Sequence, residues 1–201
     1  PTLLLPCVAS RVMLFSVGYV VSTNNGSTII NNSSITAKTG GVAFDACTGW
    51  GGYLANSVSL TGGSVVTGDI EVSYYYGSGS TPTVLTLDSG TISGDIVMAE
   101  GAADSTILKK TDFDQAAPAE YVWVTSDEEG YQTLAGAVAK IGSVYYATLQ
   151  DALDAAEDAD TANIVIDLLG DATLDINAWN SNSIGTENTE TITINGNDHT
   201  L

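Results

Sequence analysis

The stretch Gly63-Ser64-Val65-Val66-Thr67-Gly68-Asp69-Ile70 recurs, one residue shorter, as Gly90-Thr91-Ile92-Ser93-Gly94-Asp95-Ile96. Each copy follows a leucine, and each is a short β-branched run that ends in a Gly-Asp-Ile corner. A strand-and-corner phrase that returns after about 20–30 residues is typical of solenoids, in which successive turns of chain stack on one another. The repeat therefore predicts stacked β-coils.

The sequence around the repeat is also built from short apolar runs separated by turn-forming residues. From Ser22 to about Leu108, apolar runs of three to five residues alternate with Gly, Asn and Ser clusters, without helical periodicity. This even spacing favours an all-β fold of the β-helix type, with a β-sandwich as the alternative. The predicted strands are Ser27–Ile30, Ser34–Ala37, Gly41–Phe44, Ser57–Leu60, Ile70–Val72, Val84–Leu87 and Asp95–Met98.

The charge balance excludes some classes of partner. The chain of 201 residues carries 24 acidic and 5 basic side chains, which gives a net charge of −19. A nucleic-acid-binding surface needs cations that neutralise phosphates, and five cannot form one. Anionic membrane surfaces repel the chain for the same reason, and no apolar run is long enough to insert in a membrane. We expect a soluble extracellular or cell-surface protein with no cofactor.

The chain divides into three predicted parts. Residues 1–108 would form the end of one β-helix module with an irregular N-terminal segment, and residues 109–147 a linker with β-hairpins, one of which turns at Gly142-Ser143. Residues 148–201 would start a second module with a short capping helix near 149–157, followed by its first rungs, in which Thr173–Ile176 is a predicted strand. The helix is predicted from an apolar stripe at i, i+3, i+4 and i+7 and from Thr148, a good N-cap with Asp151 three residues later.

A resemblance covers the last third of the chain, residues 137–201. The phrases Ala139–Ala156, Ile166–Leu174 and Ile192–Leu201 are similar to the opening of right-handed parallel β-helix domains of the pectin-lyase-like type. Such domains occur in large repetitive surface proteins of gut bacteria. The resemblance implies a right-handed parallel β-helix in which the amphipathic helix caps the first coil. It implies little about function, because one fold supports many activities.

Catalytic chemistry has little support in these residues. Lyase chemistry on uronates needs a strong base beside a calcium cluster, but the only arginine is Arg11 and Lys38 is the only lysine before Lys109. His199 is the only histidine, which excludes a multi-histidine metal site. Asp69 and Asp95 occupy equivalent corners; we interpret them as turn residues, with calcium binding as the weaker alternative.

Two aromatic clusters carry the binding hypothesis. Trp50 and Tyr53, and then Tyr74, Tyr75 and Tyr76, lie beside glycines in predicted loops, where flat rings could stack on sugars. The alternative is that half of each cluster points into the core, because neighbouring strand residues alternate.

The leading hypothesis is a non-catalytic stalk or adhesin of a bacterial surface or secreted protein that presents loops to glycans or host proteins. The alternatives are a non-catalytic part of a carbohydrate-active enzyme and a purely structural spacer. Whether Cys7 and Cys47 pair is open.

Overall fold

The chain folds as a β-solenoid of about five turns, made of stacked parallel sheets. This computed structural model describes residues 19–23, 26–48, 56–74, 82–99, 101–159, 163–174 and 191–201, without the side chains of residues 48 and 74. The predicted β-helix is confirmed and the sandwich alternative is wrong, because strands distant in sequence pair in parallel. The right-handed winding stays a prediction, in line with the chirality of parallel crossovers. Among the described residues, no helix is long and apolar enough to cross a membrane.

The chain forms two compact units. The first comprises Pro1–Pro118 and Thr125–Leu134, and the second comprises Ala119–Val124 and Ala135–Leu201. In the first unit each complete coil contains three strands. They are β1 Val21–Thr23, β2 Gly26–Asn31 and β3 Ser34–Thr36 in the first coil; β4 Val42–Thr48, β5 Asn56–Thr61 and β6 Ser64–Thr67 in the second; β7 Asp69–Tyr74, β8 Val84–Leu87 and β9 Gly90–Ile92 in the third; and β10 Ile96–Met98 and β11 Thr106–Lys110 in the fourth.

Equivalent strands stack into three parallel sheets. Sheet 1 contains β1, β4, β7 and β10; sheet 2 contains β2, β5, β8 and β11; sheet 3 contains β3, β6 and β9. Because side chains alternate along a strand, every second residue points inward and stacks on its register partner. Phe44, Ile70 and Ile96 form one such buried column, with exposed fractions of 0%, 2% and 2%. Burial of these columns stabilises the coils.

The two copies of the repeated phrase lie directly above one another, as predicted. Val66 pairs with Ile92 in sheet 3, and Ile70 pairs with Ile96 in sheet 1. Gly90 has a φ of 140°, and a Cβ there would overlap the backbone oxygen of Ser64. The glycine is therefore needed because the turns of adjacent coils approach closely at this point.

The fourth coil is closed by the chain that follows it. β11 continues to Lys110, two residues past the predicted end of the first module. Lys109 is 7% exposed, and its ammonium donates to the carbonyl oxygen of Phe113 at 2.9 Å. Gln115 Nε2 donates to the carbonyl oxygen of Gly94 at 3.1 Å. The segment after β11 thus satisfies polar groups at this end of the stack.

Two further strands, β12 Tyr121–Thr125 and β13 Tyr131–Gly136, flank an acidic turn. The N–H of Ser126 donates to the oxygen of Tyr131, and that of Tyr131 donates to the oxygen of Glu128, both at 3.1 Å. β13 pairs antiparallel with β11, Thr133 lying opposite Leu108. An antiparallel strand ends a parallel stack without leaving the edge of β11 unpaired.

The described residues of the second unit form a hairpin, one helix and a parallel pair of strands. Its remaining elements are β14 Ala139–Ile141, β15 Val144–Tyr146, α1 Leu149–Asp158, β16 Asn163–Leu168 and β17 Thr191–Asn195. β14 pairs antiparallel with β15 and β16, and β17 pairs in parallel with β16. The predicted hairpin across Gly142-Ser143 is therefore confirmed.

The predicted helix is confirmed in its bounds, cap and buried stripe. Thr148 Oγ1 accepts from the N–H of Asp151 at 3.0 Å, the capping bond that the sequence predicts. The four residues of the apolar stripe are all buried, in a core that also contains Ile166 and Leu168. They are Leu149, Ala152, Leu153 and Ala156. The predicted strand Thr173–Ile176 is wrong for Thr173 and Leu174, which lie outside any strand, and residues 175–176 lie outside the described residues. The short strand β1 was not predicted.

Candidate ligand-binding edge of the solenoid

The connections between strands are unequal around the coil. Between sheets 2 and 3, two residues join the strands in each of the first three coils. Between sheets 1 and 2, the connections are 24–25, 49–55, 75–83 and 99–105, which are two, seven, nine and seven residues long. We call this corner the loop edge. In repeat proteins, insertions gather on one face, which is often the binding face.

Two of the three long connections, 49–55 and 75–83, are tied at their ends by buried side chains. Asn56 is 0% exposed, and its Nδ2 donates to the carbonyl oxygen of Cys47 at 2.8 Å. Thr83 is also 0% exposed, and its Oγ1 donates to the carbonyl oxygen of Ser73 at 3.3 Å. Both bonds join the end of a sheet 1 strand to the start of a sheet 2 strand. Neither residue was predicted from the sequence, where its only signal is its position just before an alternating apolar run.

The aromatic residues that the sequence predicts as ligand-binding belong to the connections of the loop edge or, for Tyr74, to the strand end before one of them. Thr48 and Tyr74, the last residues of β4 and β7, are register partners in sheet 1. The segments with the two aromatic clusters therefore follow strand ends that lie on adjacent rungs. Tyr74 ends β7, and its side chain is outside the described set. Trp50, Tyr53, Tyr75 and Tyr76 lie outside the described residues.

The outer face of sheet 1 beside the loop edge carries a buried polar cluster. Asp45, Cys47 and Ser73 are 5%, 8% and 1% exposed. Asp45 accepts from the hydroxyl of Ser22 at 2.8 Å and from that of Ser73 at 3.4 Å. Glu71, the register partner of Asp45, accepts from the Tyr19 hydroxyl at 2.7 Å. These hydroxyls satisfy carboxylates on two adjacent rungs.

Burial sets the protonation chemistry of this cluster. It raises the pKa of the Asp45 carboxyl, although the Ser22 hydrogen bond opposes it, and Glu71 raises that pKa further. Burial likewise raises the pKa of the Cys47 thiol, which Asp45 and Glu71 also raise. A raised pKa keeps the thiol protonated and unreactive at neutral pH. The cluster thus lacks the activated thiolate of a nucleophilic site.

Asp69 and Asp95 stack at the corner between sheets 3 and 1. The backbone N–H of Asp95 donates to Asp69 Oδ1 at 2.9 Å, and the N–H of Ile70 donates to the Asp95 carbonyl oxygen at 2.9 Å. The carboxylate of Asp69 thus accepts a hydrogen bond from the backbone of the next rung, 26 residues along the chain, and the turn interpretation of the two residues stays a prediction. Within the described ranges, no group of three or more His, Cys, Asp or Glu side chains is placed to hold a metal ion.

His199 lies in the last turn of the second unit. Its Nδ1 is 3.9 Å from Asp171 Oδ1, and the same carboxylate oxygen accepts from the N–H of Thr200 at 2.8 Å. The backbone N–H of His199 closes the turn on Gly196 at 2.8 Å. These contacts hold a rung corner together, as the sequence position of His199 suggests.

A surface cluster that the sequence analysis missed lies on the corner between sheets 2 and 3. Asp88 Oδ1 is 2.6 Å from Lys110 Nζ and accepts from the Tyr131 hydroxyl at 2.9 Å, while Asp88 Oδ2 accepts from Thr61 at 3.2 Å. The Lys110 and Tyr131 hydrogen bonds lower the pKa of Asp88, and the bond to Asp88 raises the pKa of Tyr131. The cluster links β5, β8, β11 and β13 and is a structural tie rather than a binding site.

Comparisons of this chain with protein-family models, with curated proteins and with solved structures give no match.

Proposed function

We propose that this chain is a non-catalytic β-solenoid segment of an extracellular or cell-surface bacterial protein, which binds glycans through the aromatic residues of its loop edge. The observation that carries the proposal is the register of Thr48 with Tyr74. Because of this register, the two aromatic segments begin on neighbouring rungs of the same edge. Aromatic rings presented side by side are the chemistry that recognises the flat faces of sugar rings.

The geometry of the sheets favours a ligand of a particular shape. Adjacent rungs of a parallel sheet are about 4.8 Å apart, so rings from successive connections would follow the solenoid axis. A chain-like ligand such as an oligosaccharide could contact both segments at once. A stalk or adhesin role fits this arrangement, because stacked coils provide length and a long lateral surface.

Two observations support the proposed extracellular or cell-surface location. The net charge of −19 suits a soluble protein that repels anionic membranes and nucleic acids. The similarity of residues 137–201 to pectin-lyase-like β-helix domains points to the large surface proteins of gut bacteria, in which such domains occur. Neither ground depends on the aromatic residues, so the location and the ligand can fail separately.

A glycan array with the 201-residue chain, run in calcium and again in EDTA, tests the binding proposal. We expect binding that Trp50→Ala or Tyr75→Ala abolishes and that Tyr145→Ala, a half-buried tyrosine on β15, leaves unchanged. Dependence on calcium would bring Asp69 and Asp95 into the site. A blank array would contradict glycan binding and favour the structural spacer.

A further inference from the structure

We infer that Asn56 and Thr83 are positioning residues that fix the ends of the two aromatic connections, by tying Cys47 to Asn56 and Ser73 to Thr83 on adjacent rungs. The inference rests on the proposed function, in that it assigns these buried side chains a role in arranging the glycan-binding edge. The four tied residues all lie within the described part of the chain.

The first support is that the same bond is made twice. Cys47 and Ser73 are register partners in sheet 1, and Ser57 and Val84 are register partners in sheet 2. Asn56 and Thr83, one residue before Ser57 and Val84, therefore stand one rung apart. Each donates a side-chain hydrogen bond to the carbonyl oxygen of the facing sheet 1 residue, at 2.8 Å and 3.3 Å. The two connections thus begin and end at equivalent fixed points.

The second support is energetic. Among the described residues, Asn56 Oδ1 has no hydrogen-bond partner, although the side chain is wholly buried. An unpartnered buried polar atom costs about 1–3 kcal/mol, whereas an apolar side chain of similar shape can be nearly neutral. Stability alone would therefore favour leucine at this position. The amide retains one specific bond, the one that ties the base of the 49–55 connection.

The third support is the contrast with the next connection along the stack. Ser105 stands at the equivalent position before β11, but its Oγ makes no hydrogen bond to any described residue. A short 3₁₀ helix, Ala102–Asp104, closes this connection through its own backbone, with the N–H of Ser105 donating to Ala102 at 2.8 Å. Residues 99–105 contain no aromatic side chain. The side-chain tie accompanies the two connections that carry aromatic residues.

The test separates the positioning of the loops from the stability of the fold. In a chain with Trp123→Phe and Trp179→Phe, Trp50 is the only tryptophan and reports on the 49–55 connection. Asn56→Leu and Thr83→Val are introduced into this background, with Ser105→Ala as the matched control. The measurements are the time-resolved fluorescence anisotropy of Trp50, the thermal midpoint, and the affinity for any glycan that the array identifies.

We expect Asn56→Leu to increase the fast motion of Trp50 and weaken glycan binding by about three- to tenfold, because a looser loop loses more entropy on binding. The thermal midpoint should stay within about 2 °C of the parent, because the removed orphan oxygen offsets the lost bond. Thr83→Val, whose bond is longer, should weaken binding less and leave Trp50 unchanged. Ser105→Ala should change neither readout.

Two outcomes would overturn the inference. One is an unchanged Trp50 anisotropy in Asn56→Leu, whether or not that variant is destabilised. The other is an equal loss of glycan affinity in Ser105→Ala. If the parent chain binds no glycan, the proposed function fails, but the anisotropy of Trp50 still decides whether Asn56 holds the connection. If Asn56→Leu does not fold, amide hydrogen exchange of residues 75–81 in Thr83→Val decides the question, with faster exchange than in Ser105→Ala expected and equal exchange contradicting it.

Discussion

The corner between sheets 2 and 3 and the loop edge both connect one strand of a coil to the next, but they differ in the length and closure of their connections. At the first corner, three successive coils each turn with two residues, and glycine allows the backbones to stack closely. At the loop edge, the connections vary from two to nine residues, and buried side chains close two of them at the base. The difference teaches that the stack requires tight geometry at only some of its corners, which leaves one edge able to vary.

The largest expected effect comes from disturbing the tight corner. Gly90→Ala places a Cβ against the backbone oxygen of Ser64, which cannot move without shifting a whole rung. We expect a loss of about 3 kcal/mol or more in the free energy of unfolding, measured by urea denaturation.

Gly63→Ala is the matched control for that variant. Gly63 also has a positive φ, 71°, but a Cβ there meets nothing within 4 Å. Only the left-handed conformation is then strained, at about 1–2 kcal/mol. Equal losses in the two variants would contradict the close-approach argument.

A second prediction concerns two carboxylates of the stack whose pKa values shift in opposite directions. Burial raises the pKa of Asp45 above its ordinary value of 3.8, so its ionisation opposes folding at neutral pH. Asp45→Asn should therefore increase stability at pH 7, and the gain should vanish as the pH falls through the raised pKa to below 3.8.

Asp88→Asn should behave in the opposite way. The Lys110 and Tyr131 hydrogen bonds lower the pKa of Asp88, so its ionised form stabilises the fold above 3.8, and that contribution is lost as the pH falls through the lowered pKa. Thermal melts of both variants between pH 3 and pH 8 check the pair (roughly the span over which carboxyl linkage acts). Changes of the same sign at pH 7 would contradict it.

A third prediction separates a turn residue from a calcium ligand. Asp69→Ala removes the acceptor of the Asp95 N–H and should cost about 1 kcal/mol. Asp95→Ala removes a side chain that makes no hydrogen bond to the described part of the chain, and it should change stability little. Calcium titration of the parent should leave its thermal midpoint unchanged; a rise abolished by both substitutions would instead support a shared calcium site.

The smallest effect is expected at the loop edge itself. Four extra Gly and Ser residues inserted between Gly77 and Ser80 lengthen a connection whose ends Thr83 and Ser73 already hold. Doubling the length of a loop costs only about 0.6 kcal/mol, so the thermal midpoint should fall by a few degrees at most. The same insertion between Gly62 and Gly63 should disrupt the stack, which circular dichroism would report.

Local patterns were enough to predict much of the fold. The repeated Gly-Asp-Ile phrase predicts coils that stack, and Val66 does pair with Ile92. The amphipathic stripe and the Thr148 cap predict α1 closely, because both signals lie within a few residues of one another. The strand predicted at Thr173–Ile176 is wrong for Thr173 and Leu174, because alternation alone does not provide a neighbouring strand with which they could pair.

The candidate site was predicted less completely. The aromatic residues are visible in the sequence, but Asn56 and Thr83 are not distinguishable there from ordinary turn residues. Their role depends on carbonyl groups nine and ten residues away along the chain, which face them across the corner of a coil. Asp88 is similar, since its partners Lys110 and Tyr131 come from later strands.

The sequence by itself determined the class of fold, the capped helix and the acidic character of the surface, because these depend on composition and on contacts between near neighbours. Only the tertiary structure decided which corners are tight, that Asp45 and Cys47 are buried, and that Thr48 and Tyr74 stand side by side. The physical reason is that a solenoid brings together residues one coil apart, and the length of each coil depends on its connections. A register set by the whole stack cannot be read from any single repeat.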